Sequence, residues 1–147
     1  MSGYRNILLA VDFTPGIETV CRRARELAAC SAARLSVIHV IEPVVMAPPY
    51  EGLPSLPVDF EQQMLESARD SLRQLLDRQK MMESVEWSVE VGSVKWTIIE
   101  QAREQRVDLI VIGSHGRHGL ERLLGSTANA VLHAAPCDVL AVHLKNG

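Results

Sequence analysis

The sequence predicts an α/β protein: a doubly wound, mostly parallel five-stranded sheet with helices on both faces. Three observations carry this. Short apolar runs alternate along the chain with stretches whose apolar residues recur at helical spacing. Several of the apolar runs are apolar on both sides, as in strands buried on both faces of a parallel sheet. A glycine-rich segment follows one of those runs directly and leads into a helix, where doubly wound sheets bind their ligands.

The elements follow in order. Arg5 to Asp12 (RNILLAVD) is a buried strand. Thr14-Pro15 offers an N-cap with proline at the first helical position. Val20, Ala24, Leu27 and Ala28 then mark a helix to about Cys30. Leu35 to Ile41 is a second buried strand, ended by Pro43. Val44 to Pro57 is a Pro-rich segment longer than a plain connection requires, and it is expected to cover a crevice. Asp59 to about Lys80 is an amphipathic helix, with Leu65, Ala68, Leu72, Leu75 and Leu76 on one face. Val85 to Val91 alternates polar and apolar residues, which suits an edge strand. A helix over Trp96 to Arg103, a buried strand over Val107 to Ile112, a helix over Ser126 to Ala135 and a last strand over Cys137 to Leu144 complete the pattern.

Composition narrows the function classes. The 147 residues (1–147) fit one domain. A net charge of −3, with both signs mixed along the chain, argues against a nucleic-acid-binding surface. No apolar run approaches the ~20 residues of a membrane span. The first residues enter a strand almost at once, without the pattern of a signal peptide. Cys21, Cys30 and Cys137 are odd in number and lack metal-ligand spacing. A cytoplasmic location is expected.

Gly113 to Thr127 (GSHGRHGLERLLGST) is the segment that carries chemistry. Glycines at a strand end let backbone N–H groups approach phosphate oxygens. The following helix adds free N–H groups and the positive end of its dipole. Ser126 and Thr127 stand where that helix begins. The segment is not a P-loop, since no Lys-Ser/Thr follows a glycine at the required spacing. It is not the dinucleotide fingerprint, because two residues rather than one separate Gly113 and Gly116. From the residues alone, glycines that merely make turns and a Ser126 that merely caps a helix remain the plainer reading.

The pieces LLAVD (Leu8 to Asp12), HVIEP (His39 to Pro43), DLIVIGSHGRHG (Asp108 to Gly119) and LLGSTANAVLHAAPCDVLAV (Leu123 to Val142) stand in the order found in universal stress proteins, and the whole chain resembles that family. The resemblance implies strand order 3-2-1-4-5, a homodimer, and in many members ATP, AMP or ADP in the crevice. It implies that Ala10 and Val11 line the adenine, that Asp12 lies beside adenine and ribose, and that Val40 meets the adenine edge through its backbone. It places Gly113, Gly116, Gly125 and Ser126 at the phosphates, with Thr127 next. The ATP-binding pattern has nine residues between the second glycine and the Gly-Ser pair; here Arg117 to Leu124 supplies eight. That deficit bears on which phosphate reaches Ser126, and a reduced preference for ATP over AMP is expected.

Other candidates have plainer roles. Asp12 suits capping or a turn as well as it suits a ligand. His115 and His118, without an acidic or cysteine cluster, read as solvated loop residues. Arg117 and Arg122 suit surface charges as well as phosphate contacts; His39 reads as a satisfied core or crevice residue, Cys137 as a buried inert thiol, and Trp87 and Trp96 as packing residues. No nucleophile beside a base and no pair of carboxylates is legible, so no catalytic residue is assigned. The expected function is a dimeric adenine-nucleotide-binding regulatory module of the stress response, taking ATP or AMP with or without Mg²⁺. Its homodimer is expected to form through Cys137 to Leu144, with a further protein partner of unknown identity. The alternatives are a dimeric interaction protein of the same fold without tight nucleotide binding, and a slow ATP hydrolase.

Overall fold

A computed structural model describes residues 3–43, 59–114 and 124–144. The order is β1 (Asn6–Ala10), α1 (Ile17–Ser31), β2 (Arg34–Ile41), α2 (Phe60–Arg78), β3 (Glu86–Val91), α3 (Val94–Glu104), β4 (Leu109–Gly113), α4 (Ser126–Ala134) and β5 (Asp138–Val142). The strands form one sheet in the order β3-β2-β1-β4-β5. Every neighbouring pair is parallel. The chain therefore winds outward from β1 to one side, then returns to β4 and winds to the other. The predicted fold class and strand order are those observed.

Residue alternation splits the core into two layers. Ile7, Leu9 and Val11 face α1 and α2, where they meet Val20, Ala24, Leu72 and Leu76. Leu8 and Ala10 face α3 and α4, where they meet Ile98, Ala102, Ala128 and Val131. Both faces of β1 and β4 are thus filled, which is why these runs are apolar throughout. At the amino ends, the Asp108 carboxylate accepts from the N–H groups of Arg5 and Asn6, both at 2.9 Å, and so ties β4 to the start of β1.

The edges differ. β3 carries exposed Glu86 and Glu90, with Glu86 paired to Arg34 at 2.6 Å, so charge guards that edge. On β5, Val139, Leu140 and Ala141 remain only half-buried.

The start of α1 departs from its sequence signal. The helix begins at Ile17, after an N-cap Gly16 at φ 92°, and not at Pro15. Thr14 does not cap it. Its hydroxyl donates to Asp12 Oδ1 at 2.6 Å, so it is spent on the turn that precedes the helix. Gly16 is required twice over: its φ is left-handed, and a Cβ there would sit 3.2 Å from Leu144 Cδ2. α2 likewise stops at Arg78, short of the predicted Lys80. Lys80 turns with φ 56° and delivers Met81, fully buried, into the core.

Cys21 lies wholly within the α1 layer, and burial pushes its thiol up to about 11. A thiol whose folded pKa exceeds its unfolded value, ~8.5, favours the folded state below the unfolded value. That contribution is lost as pH rises through the folded value. Stability should therefore fall more steeply between about pH 9 and pH 11 in the wild type than in Cys21→Ala. Urea midpoints at the two ends of that range, compared between the two proteins, measure the difference. Separately, Leu9→Ala removes a fully buried side chain from the central strand. It should cost about 2–5 kcal/mol in urea denaturation.

Candidate functional site

The strand order reverses between β1 and β4, which are paired from Ile7↔Leu109 to Leu9↔Val111. α1 leaves β1 toward one face of the sheet and α4 packs on the other. The carboxyl ends of β1 and β4 therefore diverge into a crevice, the position where open parallel sheets take ligands.

Ala10 ends β1 and Val11 follows it; both are buried, on opposite faces of the sheet. Asp12 follows, partly exposed, with Oδ1 engaged by Thr14. Its Oδ2 meets no partner among the described residues. The turn role open to Asp12 from sequence is therefore observed, and one oxygen remains available to the crevice. Val40 lies near the carboxyl end of β2, buried on the α3 and α4 face.

On the other wall, Gly113 is the last residue of β4, and a Cβ there would lie 3.3 Å from Leu144 Cδ1 and 3.5 Å from Val20 Cγ2. Its missing side chain thus lets Leu144 and α1 close against the sheet. Gly125 is the N-cap of α4, at φ −56°, and Ser126 and Thr127 are its first residues. The first helical bond runs from Asn129 N–H to the Gly125 carbonyl at 2.9 Å, and no side chain caps the helix. The N–H groups of Ser126, Thr127 and Ala128 consequently meet no acceptor among the described residues. The plain capping role considered for Ser126 is not what it performs, because it stands inside the helix. An uncapped helix start of this kind favours an anion.

Ser114 and His39 are the site residues that sequence reasoning passed over or treated as plain. Buried Ser114 accepts from Gly125 N–H through its carbonyl at 2.7 Å. It donates its own N–H to the Val142 carbonyl at 2.9 Å, and its Oγ accepts from Leu144 N–H at 3.3 Å. It thereby joins the end of β4, the cap of α4 and the end of β5. Half-buried His39 places Nδ1 2.6 Å from the Val11 carbonyl, and its ring lies 4.6 Å from that of Phe13. Neither has a periodicity or motif that would single it out. The one usable signal was a polar residue inside or directly after an apolar run.

Gly116 and Arg117 lie outside the described residues, as do His115, His118, Arg122 and the Pro-rich segment Val44 to Pro57. Among the described residues no three His, Cys, Asp or Glu side chains cluster to hold a metal ion. Nor is any helix among them long and apolar enough to cross a membrane. A cleft of about 750 Å³ opens at the opposite, amino end of the strands, lined by Tyr4, Asp108, Cys137 and Asp138 among others. Its polar groups serve each other. Tyr4 donates to Asp138 Oδ2 at 2.8 Å, which pushes the phenol up, and Asp108 is held by backbone. Partial burial, with Asp138 beside it, pushes the Cys137 thiol up as well.

A parallel sheet in this order, with Asp12 just past the end of β1 and the start of α4 following β4, defines a doubly wound α/β module with its switch point between β1 and β4. The chain belongs to the universal stress protein family, whose model matches residues 3–143. It is 45% identical over 144 residues to universal stress protein A homolog 1 of Coxiella burnetii, covering 97% of this chain and 98% of that protein. Its fold is similar to that of the universal stress protein UspA from Lactobacillus plantarum, with a TM-score of 0.75 and 24% identity over 97% of this chain and 99% of that one. It is also similar to a universal stress protein solved in complex with cAMP, with a TM-score of 0.68 and 25% identity over 97% of this chain and 98% of that one.

Proposed function

We propose that this chain is a one-domain, cytoplasmic regulatory module of the stress response that binds an adenine nucleotide, ATP or AMP, and works as a homodimer. The observation that carries the nucleotide reading is the start of α4, whose first three backbone N–H groups meet no acceptor among the described residues, set across the sheet's order reversal from Asp12. The relative solved with cAMP supports an adenine nucleotide as the occupant. In this reading Ala10, Val11 and Val40 take the base and Asp12 the ribose. Gly113, Gly116, Arg117, Gly125, Ser126 and Thr127 surround the phosphates. A single carboxylate, Asp12, with phosphate oxygens and waters also suits the way Mg²⁺ binds. No base for a hydrolytic water is assigned. The eight-residue spacing from Arg117 to Leu124 favours the second reading, an interaction module of the same fold that holds no nucleotide tightly.

Calorimetry with ATP, ADP, AMP and cAMP, with and without Mg²⁺, decides between the two. The wild type should bind at least one of them with a dissociation constant well below ~1 mM. Absence of heat at that concentration would remove the nucleotide reading. Because Gly125 has a φ open to any residue, Gly125→Val should fold normally while its side chain obstructs the phosphate. Affinity should fall at least about tenfold with the thermal midpoint nearly unchanged.

The dimer reading rests on β5. An edge strand with half-exposed Val139, Leu140 and Ala141 and no inward charge invites a second copy to pair antiparallel about a twofold axis. Light scattering at tens of micromolar, roughly the range of common protein affinities, should return twice the mass of the chain. Leu140→Lys should shift it toward the monomer. A wild-type monomer under those conditions would count against the assignment.

A further inference from the structure

β1 and β2 pair through Ala10↔Ile38, and the regular ladder ends there. Val11 still donates its N–H to the Ile38 carbonyl at 2.8 Å. Its own carbonyl is met by a side chain: His39 Nδ1 lies 2.6 Å away. The chain then turns through Asp12, Phe13 and Thr14 toward α1. On this turn the Phe13 ring, 43% exposed, lies 4.6 Å from the imidazole at an interplanar angle of 53°. His39 therefore engages both residues that flank Asp12, while the hydrogen bond to the Asp12 carboxylate comes from Thr14. Thr14 completes the arrangement by fixing Asp12 Oδ1.

We propose that His39 is a positioning residue for the nucleotide crevice: it holds the Val11–Phe13 turn and thereby sets the direction of the Asp12 carboxylate. The proposal rests on the nucleotide reading above. A carbonyl oxygen only accepts, so the hydrogen of this bond belongs to Nδ1. The bond is short and partly shielded, at the point where the strand leaves the sheet. Without it the Val11 carbonyl, part of a buried residue, would have to find another donor. Asp12 would then sample several directions, and a ligand would have to select one of them.

The geometry makes the donor's place testable. Asparagine carries an amide N–H₂ close to where Nδ1 stands, whereas glutamine carries it one bond farther out, near Nε2. Wild type, H39N, H39Q and H39L are titrated calorimetrically with ATP and AMP, and their thermal midpoints are recorded. H39N should stay within about twofold of wild-type affinity, while H39Q and H39L lose about tenfold, the worth of one directed hydrogen bond. H39Q and H39L both leave the Val11 carbonyl without this donor and should melt somewhat below H39N; affinities measured well below every midpoint, where each variant is fully folded, separate positioning from general stability. Equal affinities for H39N and H39Q, or wild-type affinity in H39L, would overturn the assignment. If the wild type binds no nucleotide, the functional reading falls, and the turn is read directly by amide exchange at Asp12 and Phe13. Faster exchange in H39Q than in H39N upholds the grip of His39 on the turn, and equal exchange overturns it.

Discussion

Strand β1 has neither a free edge nor a free face. β2 and β4 pair with it on its two sides, α1 and α2 cover Ile7, Leu9 and Val11, and α3 and α4 cover Leu8 and Ala10. Because β1 lies at the centre of the sheet, β2 and β3 extend it to one side and β4 and β5 to the other. The reversal that opens the crevice is thus imposed by the same burial that stabilises the core. Ligand-facing groups need only stand at the carboxyl ends of strands already fixed by packing.

At those ends, backbone bonding passes from the ladder to individual groups. Val11 is taken over by His39, and Gly125 and the end of β5 by Ser114. Gly16 and Gly113 open space on the same side for Leu144, so the last described residue of the chain packs under the turn that starts α1. The crevice is rigid at its base through these few contacts. One Asp12 oxygen and the first N–H groups of α4 are the groups at these ends that meet no partner among the described residues.

The layered fold was legible because burial on both faces leaves unmistakable runs such as LLA within Leu8–Ala10 and LIVI within Leu109–Ile112. The two edge strands were legible as well, one by alternation and one by its position. Boundaries were less so. Thr14-Pro15 has the chemistry of a helix start, yet Asp12 competes for the threonine hydroxyl and the helix waits for Gly16. Of the site, the strand-end residues and the Gly-Ser pair followed from context and resemblance. His39 and Ser114 did not, because what matters in each is a hydrogen bond to a residue distant in sequence, and no local pattern encodes such a bond. Gly113 was read for phosphate approach, and its geometry adds a packing reason that depends on Leu144, thirty-one positions away.

The pairing of β1 with β4 also governs how the molecule can be made. Asp108 accepts from Arg5 across a separation of 103 residues, and Ile7 lies beside Leu109. During synthesis at about 5–20 residues per second, β1, α1 and β2 emerge many seconds before β4 exists. For that interval one edge of β1, buried from Ile7 to Ala10 in the finished sheet, has no mate, and long-range parallel pairings of this kind close slowly. Until β4 emerges, the nascent N-terminal half therefore carries an open apolar strand edge, a feature that favours aggregation.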